Sequence, residues 1–514
     1  MTMTGNGYHK LTGYERHRIS PHFLDWNNAP LQHKQYQPLL TLPLPLAGSI
    51  PETDLWDLFP ESGPRDSHDG KITLETLATL LALGCGHTSL SWTGIPKGSQ
   101  RTAPSAGGLY PCDVYAAVRS VPGIEPGLYY CDFNAWALRL ISRDHGKLPE
   151  PLQPFQTTAR SSRDPEIAAP RISLVITGTF FRSSWKYRNR AFRYLLLDCG
   201  HILENLVLGA RSLDIRSGVF YDFDDAALAR YLGIDMAREV CLARVDLVGP
   251  GCEIPDTETR NPLRAREIPP PCREIIYSDL SDIYTAGRTI VPPSGNTNPA
   301  LPFPLRLTNG KQGMHYALPG QGVSSGMHDF VQAVLGRRSR RNYHTGDWTW
   351  EPAMDLLRST AGFGKQGRDQ AQRCFPFTAT GFFSGGIKGL GRGFYVLDPD
   401  GGGFTNIMPG DFTGIMARIC LDQEWLKNAA LHMVFLADLQ GLDAALGPRG
   451  YRYAMINAGR LGQRIYLAAT ALGEGACGIG AFYDTEAADL LSLSRGNAML
   501  YLVAAGPVKG SRQR

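Results

Sequence analysis

The sequence has no uninterrupted apolar run approaching the ~20 residues that a helix needs to cross a bilayer. Its opening stretch, Met1 to Asp25, is polar and histidine-rich rather than the apolar core of a signal peptide. Cytoplasmic residence without a membrane partner is therefore expected. There is also no Cys-x-x-Cys pair and no Cys/His cluster at zinc-ligand spacing. The ten cysteines are scattered, which suits buried reduced thiols better than a disulfide framework or a metal site. Charge of one sign is scarce too. A net +4 over 514 residues is too dilute for a nucleic-acid surface, which needs locally concentrated Lys and Arg, so no nucleic-acid partner is expected. What the chain does have is bulk, with 43% hydrophobic and 10% aromatic residues. That composition is globular, and the length exceeds what one core accommodates.

The division falls near the middle. A proline-rich stretch from Asn261 to Pro304, with Pro269-Pro270-Pro271 and Pro292-Pro293, favours an extended connection over a packed element. The same passage stands on both sides of it. Arg190-Ala-Phe-Arg-Tyr194 and an apolar helix through Gly200 to Leu213 recur, 259 residues later, as Arg449-Gly-Tyr-Arg-Tyr453 and a helix through Gly459 to Leu472. Gly127-Leu-Tyr-Tyr-Cys-Asp132 is echoed by Gly393-Phe-Tyr-Val-Leu-Asp398, each a short β-rich run. Each half opens with a helix of three-to-four apolar spacing, Leu74 to Leu83 and Pro352 to Ser359. Duplication is the simplest account, and chance likeness of two capped apolar helices is the bland alternative. Residues 1–60 read as an extension without a counterpart that wraps the surface. Residues 61–255 are a first domain, 256–320 a proline-rich linker and 321–514 a second domain.

Four segments carry chemistry. Arg101-Thr-Ala-Pro-Ser-Ala-Gly-Gly-Leu-Tyr-Pro111 has small residues and glycines whose backbone can approach a flat ligand, offering amides and a hydroxyl, although Pro-Ser-Ala-Gly-Gly alone is an ordinary tight turn. In Phe181-Arg-Ser-Ser-Trp-Lys-Tyr-Arg-Asn-Arg190, Lys186 and Tyr187 are a candidate proton-transfer pair, neighbouring positive charge activating the lysine. The bland reading is a solvated surface pair. Arg337-Arg-Ser-Arg-Arg341 offers guanidinium forks and a hydroxyl to a phosphate, or is simply a solvated basic run. Gly473-Glu-Gly-Ala-Cys-Gly-Ile-Gly480 has the letters of a dinucleotide fingerprint. It follows a helix rather than a strand, however, so the Rossmann reading is rejected in favour of a glycine loop.

In this order the segments resemble the nitroreductase superfamily and, within it, the SagB-type dehydrogenases that oxidise thiazolines and oxazolines in ribosomally made peptides. Arg338-Ser339-x-Arg341 resembles the family's phosphate grip and Pro104-Ser105-Ala106-Gly107-Gly108 its isoalloxazine-side loop. Gly475 to Phe482 resembles the glycine loop near flavin N5. Lys186-Tyr187, followed by Arg190 and Arg193-Tyr194, resembles the catalytic pair and dimer helix of the SagB-type branch, and Tyr8-His9 to Trp26 its longer leader. The likeness covers about residues 70 to 250 and 325 to 510. It implies an α+β fold of two nitroreductase-like domains, each a mixed or antiparallel sheet flanked by helices, joined as an intramolecular pseudo-dimer. Further pairing of that unit is left open.

The departures are complementary. Where the first half should carry its grip stands Pro64-Arg65-Asp66-Ser67, and Asp214-Ile-Arg-Ser-Gly-Val-Phe220 has lost most of the glycines of its loop. The second half has Phe375-Pro-Phe-Thr-Ala-Thr380 in place of Pro-Ser-Ala-Gly-Gly, and Ala445 and Leu446 in place of Lys-Tyr. The resemblance thus implies one FMN site built from both halves. Arg338, Ser339, Arg341, Gly478, Ile479, Gly480 and Lys509 would come from the second half; Arg101, Pro104, Ser105, Ala106, Gly107, Lys186 and Tyr187 from the first. Lys186, with Tyr187, would take a proton from a small-molecule or peptide substrate while hydride leaves to the flavin. An NAD(P)H-dependent nitro or quinone reductase, and a non-catalytic flavin-binding or peptide-recognition scaffold, are the competing readings.

Overall fold

A computed structural model describes residues 2–19, 23–46, 52–59, 70–88, 100–143, 170–249, 263–289, 313–319, 328–361, 363, 378–399 and 401–510. The N-terminal stretch supplies α1 (Gly5–Leu11), β1 (Gln35–Gln37), β2 (Leu40–Pro43) and α2 (Leu55–Leu58). The first half continues with α3 (Leu74–Cys85), β3 (Cys112–Val118), β4 (Gly127–Asp132), β5 (Ala137–Arg143), β6 (Ile172–Thr179) and α4 (Phe180–Tyr187). It closes with α5 (Ala191–Ser212), β7 (Arg216–Phe220), α6 (Asp225–Leu232) and β8 (Glu239–Val248). β9 (Arg266–Ile268) and α7 (Ser278–Ala286) follow, then β10 (His315–Ala317), α8 (Phe330–Gly336), α9 (Trp350–Arg358), β11 (Ala379–Ser384), β12 (Gly393–Leu397) and β13 (Gly403–Pro409). Last come α10 (Thr413–Ile419), β14 (Leu431–Asp438), α11 (Leu439–Leu446), α12 (Arg449–Ala471), β15 (Gly475–Ile479), α13 (Asp484–Leu490) and β16 (Asn497–Gly506).

Each half is built on a seven-stranded antiparallel sheet, ordered β2-β5-β4-β3-β6-β8-β7 in the first and β10-β13-β12-β11-β14-β16-β15 in the second. The two orders match strand for strand. The fold is therefore α+β, as the resemblance implies, and doubled, as the sequence repeat implies. The central strands β3, β6 and β8 are buried along their whole length, because α3 and α5 pack on one face while α6 and the stretch that carries β1 cover the other. Apolar runs such as Ile172-Ser-Leu-Val-Ile-Thr-Gly-Thr179 meet that requirement.

The halves meet along α5 and α12. These helices cross where Gly200 faces Gly459: a β-carbon on Gly200 would lie 2.2 Å from the Ile456 carbonyl oxygen, and one on Gly459 2.3 Å from that of Leu197. Only glycine permits backbones this close. Ion pairs then cross reciprocally. Arg190 and Arg193, at the head of α5, hold Asp484 at the head of α13 (2.7 and 2.6 Å). Arg449 and Arg452, at the head of α12, hold Asp225 at the head of α6. Burial alone would raise both carboxyls, but the guanidinium pairs outweigh it, lowering Asp225 and holding Asp484 well below its ordinary range.

Three expectations need correction. Residues 1–60 do more than wrap the surface: β2 pairs with β5 and fills the edge that β10 fills in the second sheet. α1 lies between the halves, its Gly5 and Asn6 amides donating to Asp443 and its buried Tyr8 hydroxyl to the Asn189 carbonyl. The segment read as an extended connection carries a packed element, because Leu280, Ile283 and Tyr284 recur at helical spacing and α7 buries them. β10 likewise falls inside residues 256–320, read as the linker. Gly475–Ile479 is a strand, β15, rather than a loop; it pairs with β16 along one edge, the Gly478 amide and the Ala476 carbonyl on the other edge are taken by Tyr466 and Arg340, and Gly478 lets Tyr501 approach.

Candidate functional site

The tight turn of the first half and the end of α4 come together. Gly107 stands at φ +65 in the turn Ala106–Gly108, a conformation that side chains disfavour. A β-carbon there would lie 2.7 Å from the Tyr187 hydroxyl and 3.1 Å from Lys186 Nζ. Tyr187 also packs on Tyr194, ring centroids 4.3 Å apart. Pro104, Ser105 and Ala106 enter the same turn, but the Ser105 hydroxyl is not offered outward as expected. It donates to Asp198 Oδ2 (2.5 Å) and accepts from the Tyr110 amide (2.9 Å), while the Ala106 amide donates to Asp198 Oδ1 (3.2 Å). The residue therefore shapes the turn. Arg101 is buried against Tyr110 and Phe133, its Nη2 donating to the Gln32 carbonyl (3.2 Å) and its Nε without a hydrogen-bond partner among the described residues.

The second half supplies the other wall. Arg337 is buried, and its Nε and Nη2 donate to the Thr102 and Arg101 carbonyls (2.7 and 3.0 Å), which fastens the basic run to the first-half turn. Its Nη1 has no hydrogen-bond partner among the described residues. Of the expected phosphate residues, Arg338 caps α8 by donating to the Leu335 and Arg337 carbonyls. Ser339 is hydrogen-bonded to the Tyr466 hydroxyl (2.9 Å). Arg341 is exposed, with its guanidinium 5.8 Å from the Trp425 ring centroid. Exposed Lys509 reaches the same edge, its amide donating to the Asn342 carbonyl (3.0 Å).

On β15, the Gly478 amide donates to Tyr466 (2.6 Å) and the Ile479 side chain is buried in the core, so Ile479 offers only backbone. Gly480 follows the strand, and its carbonyl accepts from Arg190 Nη2 of the first half (3.0 Å). A β-carbon on Gly480 would strike Tyr194 at 2.6 Å. The halves thus meet at the site electrostatically as well. Burial, then Asp198 and Tyr14, push the Tyr187 phenol upward, and Arg341 from the second half opposes them.

Several residues here escaped the sequence reading. Arg337 stood inside the quoted basic run, yet its burial could not be read from a run of arginines. Asp198 lies on the apolar helix face whose spacing was noted, and a lone carboxylate there was the available signal. Tyr14 and Gln32 had none. Tyr14 sits on Arg190, guanidinium to centroid 4.2 Å, with its amide bonded to Asp484, and Gln32 donates to the Gly108 carbonyl (2.7 Å).

The pseudosymmetric position differs. Tyr221 stands 259 residues before Gly480. Its hydroxyl donates to Asn457 (3.3 Å) and accepts from Arg460 (3.2 Å), and its ring lies 5.8 Å from Tyr453. A tyrosine side chain stands there where Gly480 at the other site admits the Tyr194 ring, and Leu446, in the place of Tyr187, is buried core. Pro64 to Ser67 and Phe375 to Phe377 lie outside the described residues.

Comparison with known proteins matches the Nitroreductase family over residues 65–245 and 409–507. A Methanocaldococcus jannaschii protein provisionally named a nitroreductase is 29% identical over 178 residues, covering 34% of this chain and 82% of that one. The microcin B17-processing protein McbC of Escherichia coli is 25% identical over 182 residues, covering 34% of this chain and 61% of that one. A crystal structure from Anabaena variabilis, also provisionally named a nitroreductase, superposes with a TM-score of 0.72 at 25% identity, covering 99% of this chain and 100% of that one.

Proposed function

Because this chain belongs to the nitroreductase family, we propose that it is an FMN-dependent oxidoreductase with one working site per chain, a SagB-type dehydrogenase acting on a peptide azoline. The observation that carries this reading is the juxtaposition of Gly107 with Lys186 and Tyr187 beside Arg341 and Gly480 of the other half. The residues present suit a flat, anionic cofactor. Gly107 keeps its wall free of a β-carbon, buried Arg101 Nε and Arg337 Nη1 have no hydrogen-bond partner among the described residues, and exposed Arg341 and Lys509 present cations for a phosphate.

Bound there, FMN supplies a two-electron acceptor for substrate hydride. Lys186 takes the accompanying proton at Nζ, and Tyr187, whose burial keeps the phenol protonated, holds the substrate's heteroatom as a hydrogen-bond donor. Gly107 keeps both within reach of one substrate. Kinship with McbC, named for processing microcin B17, supports a peptide as the substrate. Tyr221 and Leu446 support a single site, since they occupy the pseudosymmetric position with side chains.

Titration of the apoprotein with FMN is expected to saturate near one per chain, and Lys186→Ala to keep the flavin and lose turnover of a synthetic thiazoline peptide. A ratio near two, or an active Lys186→Ala, overturns the proposal. Rapid bleaching by NADPH without response to the thiazoline would identify a nicotinamide-dependent reductase instead.

A further inference from the structure

Asp198 is the one carboxylate that touches the turn facing Lys186 and Tyr187, and it is paired with no cation among the described residues. It projects from α5 one helical turn beyond Tyr194, the residue against which Tyr187 stacks. One α5 face therefore backs both the aromatic wall and the turn. The carboxylate receives two hydrogen bonds, from the Ser105 hydroxyl and the Ala106 amide, and Gly107 is the next residue. The turn is exposed at Gly107 and Gly108. Besides the carboxylate, it is held by its own backbone bonds, the Gly108 amide on the Ser105 carbonyl (3.0 Å) and the Leu109 amide on the Ala106 carbonyl (3.4 Å), by the Tyr110 amide on the Ser105 hydroxyl and by Gln32 on the Gly108 carbonyl. Among the described residues, Asp198 alone ties it to α5. At the matching position of α12, 259 residues on, stands Asn457, which holds Tyr221 instead. The device belongs to one half only.

We propose that Asp198 is a positioning residue of the site: through Ser105 and Ala106 its carboxylate sets the turn that carries Gly107 against Lys186 and Tyr187. This rests on the reading that Lys186 is the base. Both donors are directed at the carboxylate, so the ionised form is the one that anchors the turn, and protonation weakens the hold on Ser105. The groups facing it are Tyr187 from α4, Cys112 from β3, Cys199 from α5 and Tyr501 from β16, and burial pushes all four upward, leaving them neutral near neutral pH. Burial likewise pushes Asp198 up, to about 7, against the lowering by Ser105 and Ala106. The anchor is thus in reach of mild acid.

The test compares Asp198→Asn with wild type. In the apoprotein, infrared titration should show a buried protonated carboxyl growing in as pH falls through about 7 and missing from the variant, and the Ala106 amide should exchange faster in the variant. In the flavin-loaded protein, Asp198→Asn should retain FMN while kcat on the thiazoline peptide falls on the order of 100-fold, the cost of misplacing a reacting group by about an ångström. The step in the wild-type kcat profile near pH 7, where the Asp198 carboxyl titrates, should vanish with it. Wild-type exchange at Ala106, or an unchanged kcat and pH profile, overturns the proposal. If Asp198→Asn does not fold, Ser105→Ala, which keeps the carboxylate and removes one of its bonds, decides the same question by the same exchange and profile. A dead Lys186→Ala beside a fully active Asp198→Asn refutes this inference alone, whereas an active Lys186→Ala refutes the functional reading first.

Discussion

Replacing Glu204 by Gln removes the only carboxylate from a buried triad at the centre of the half-to-half interface. Glu204 lies on α5 and accepts from two arginines of α12, Arg460 Nε at 2.7 Å and Arg464 Nε at 2.6 Å, with all three side chains essentially out of water. Burial by itself raises the carboxyl, but the two guanidinium groups outweigh it and hold Glu204 at about 2, against an ordinary 4.5. At ~1.4 kcal/mol per unit, the shift amounts to about 3 kcal/mol in favour of the ionised folded form, the size also found when one partner of a buried ion pair is removed. Solvent screening takes nothing from this, since the group is fully buried. The folded pKa lies below the unfolded one, so the contribution is complete above about pH 4.5 and is lost as pH falls through about 2. Urea denaturation of wild type and Glu204→Gln should therefore differ by about 3 kcal/mol near pH 7 and by less than half of that near pH 3. Equal stabilities near pH 7, or a gap of the same size at both pH values, would refute the reasoning.

Gly107→Ala should fold normally, because the turn is exposed, yet lose at least ~10-fold in turnover, since its β-carbon meets Tyr187 and Lys186 and its backbone costs a further ~1 kcal/mol. Unchanged turnover would remove Gly107 from the site. Asp484→Asn and Asp225→Asn should each destabilise the chain by about 3 kcal/mol, because each strands two buried arginines. Only Asp484→Asn should also lower turnover and expose Tyr14 to proteolysis, as Asp484 anchors that segment; identical effects from both would contradict the single-site arrangement. Burial first, then Arg193, hold His9 at about 4 instead of 6.5, so the fold favours its neutral form. That contribution is full above about pH 6.5 and is lost as pH falls toward 4. The His9 imidazole should stay neutral by NMR down to about pH 4, and titration near 6.5 in the folded protein would show that α1 is not seated between the halves.

The sequence alone was enough for the doubling, which is written in local order: Arg190-Ala-Phe-Arg-Tyr194 recurs as Arg449-Gly-Tyr-Arg-Tyr453, and apolar periodicity marks α3, α5, α9 and α12. The α+β class came with the family resemblance that the ordered motifs carry. The complementary losses were legible for the same reason, since a missing lysine or glycine is a fact about one position. Local order misled where the partner was distant. The glycines of Gly475–Ile479 read as a loop, but a strand results when β16 supplies hydrogen bonds, and proline density around Pro270 hid the apolar spacing that buries α7. What only tertiary structure decided is which side chains remain available. Ser105, Arg338 and Ser339 stood as cofactor ligands by residue type, and each is committed to a neighbour far in sequence or to a helix end: Asp198, the Leu335 carbonyl and Tyr466. The reverse holds for Arg337, Asp198 and Tyr14. Their part arises from burial and from contacts distant in sequence, within the first half for Asp198 and across the halves for Arg337 and Tyr14, and hydrogen-bond satisfaction of that kind is set by the packed chain as a whole rather than by any stretch of it.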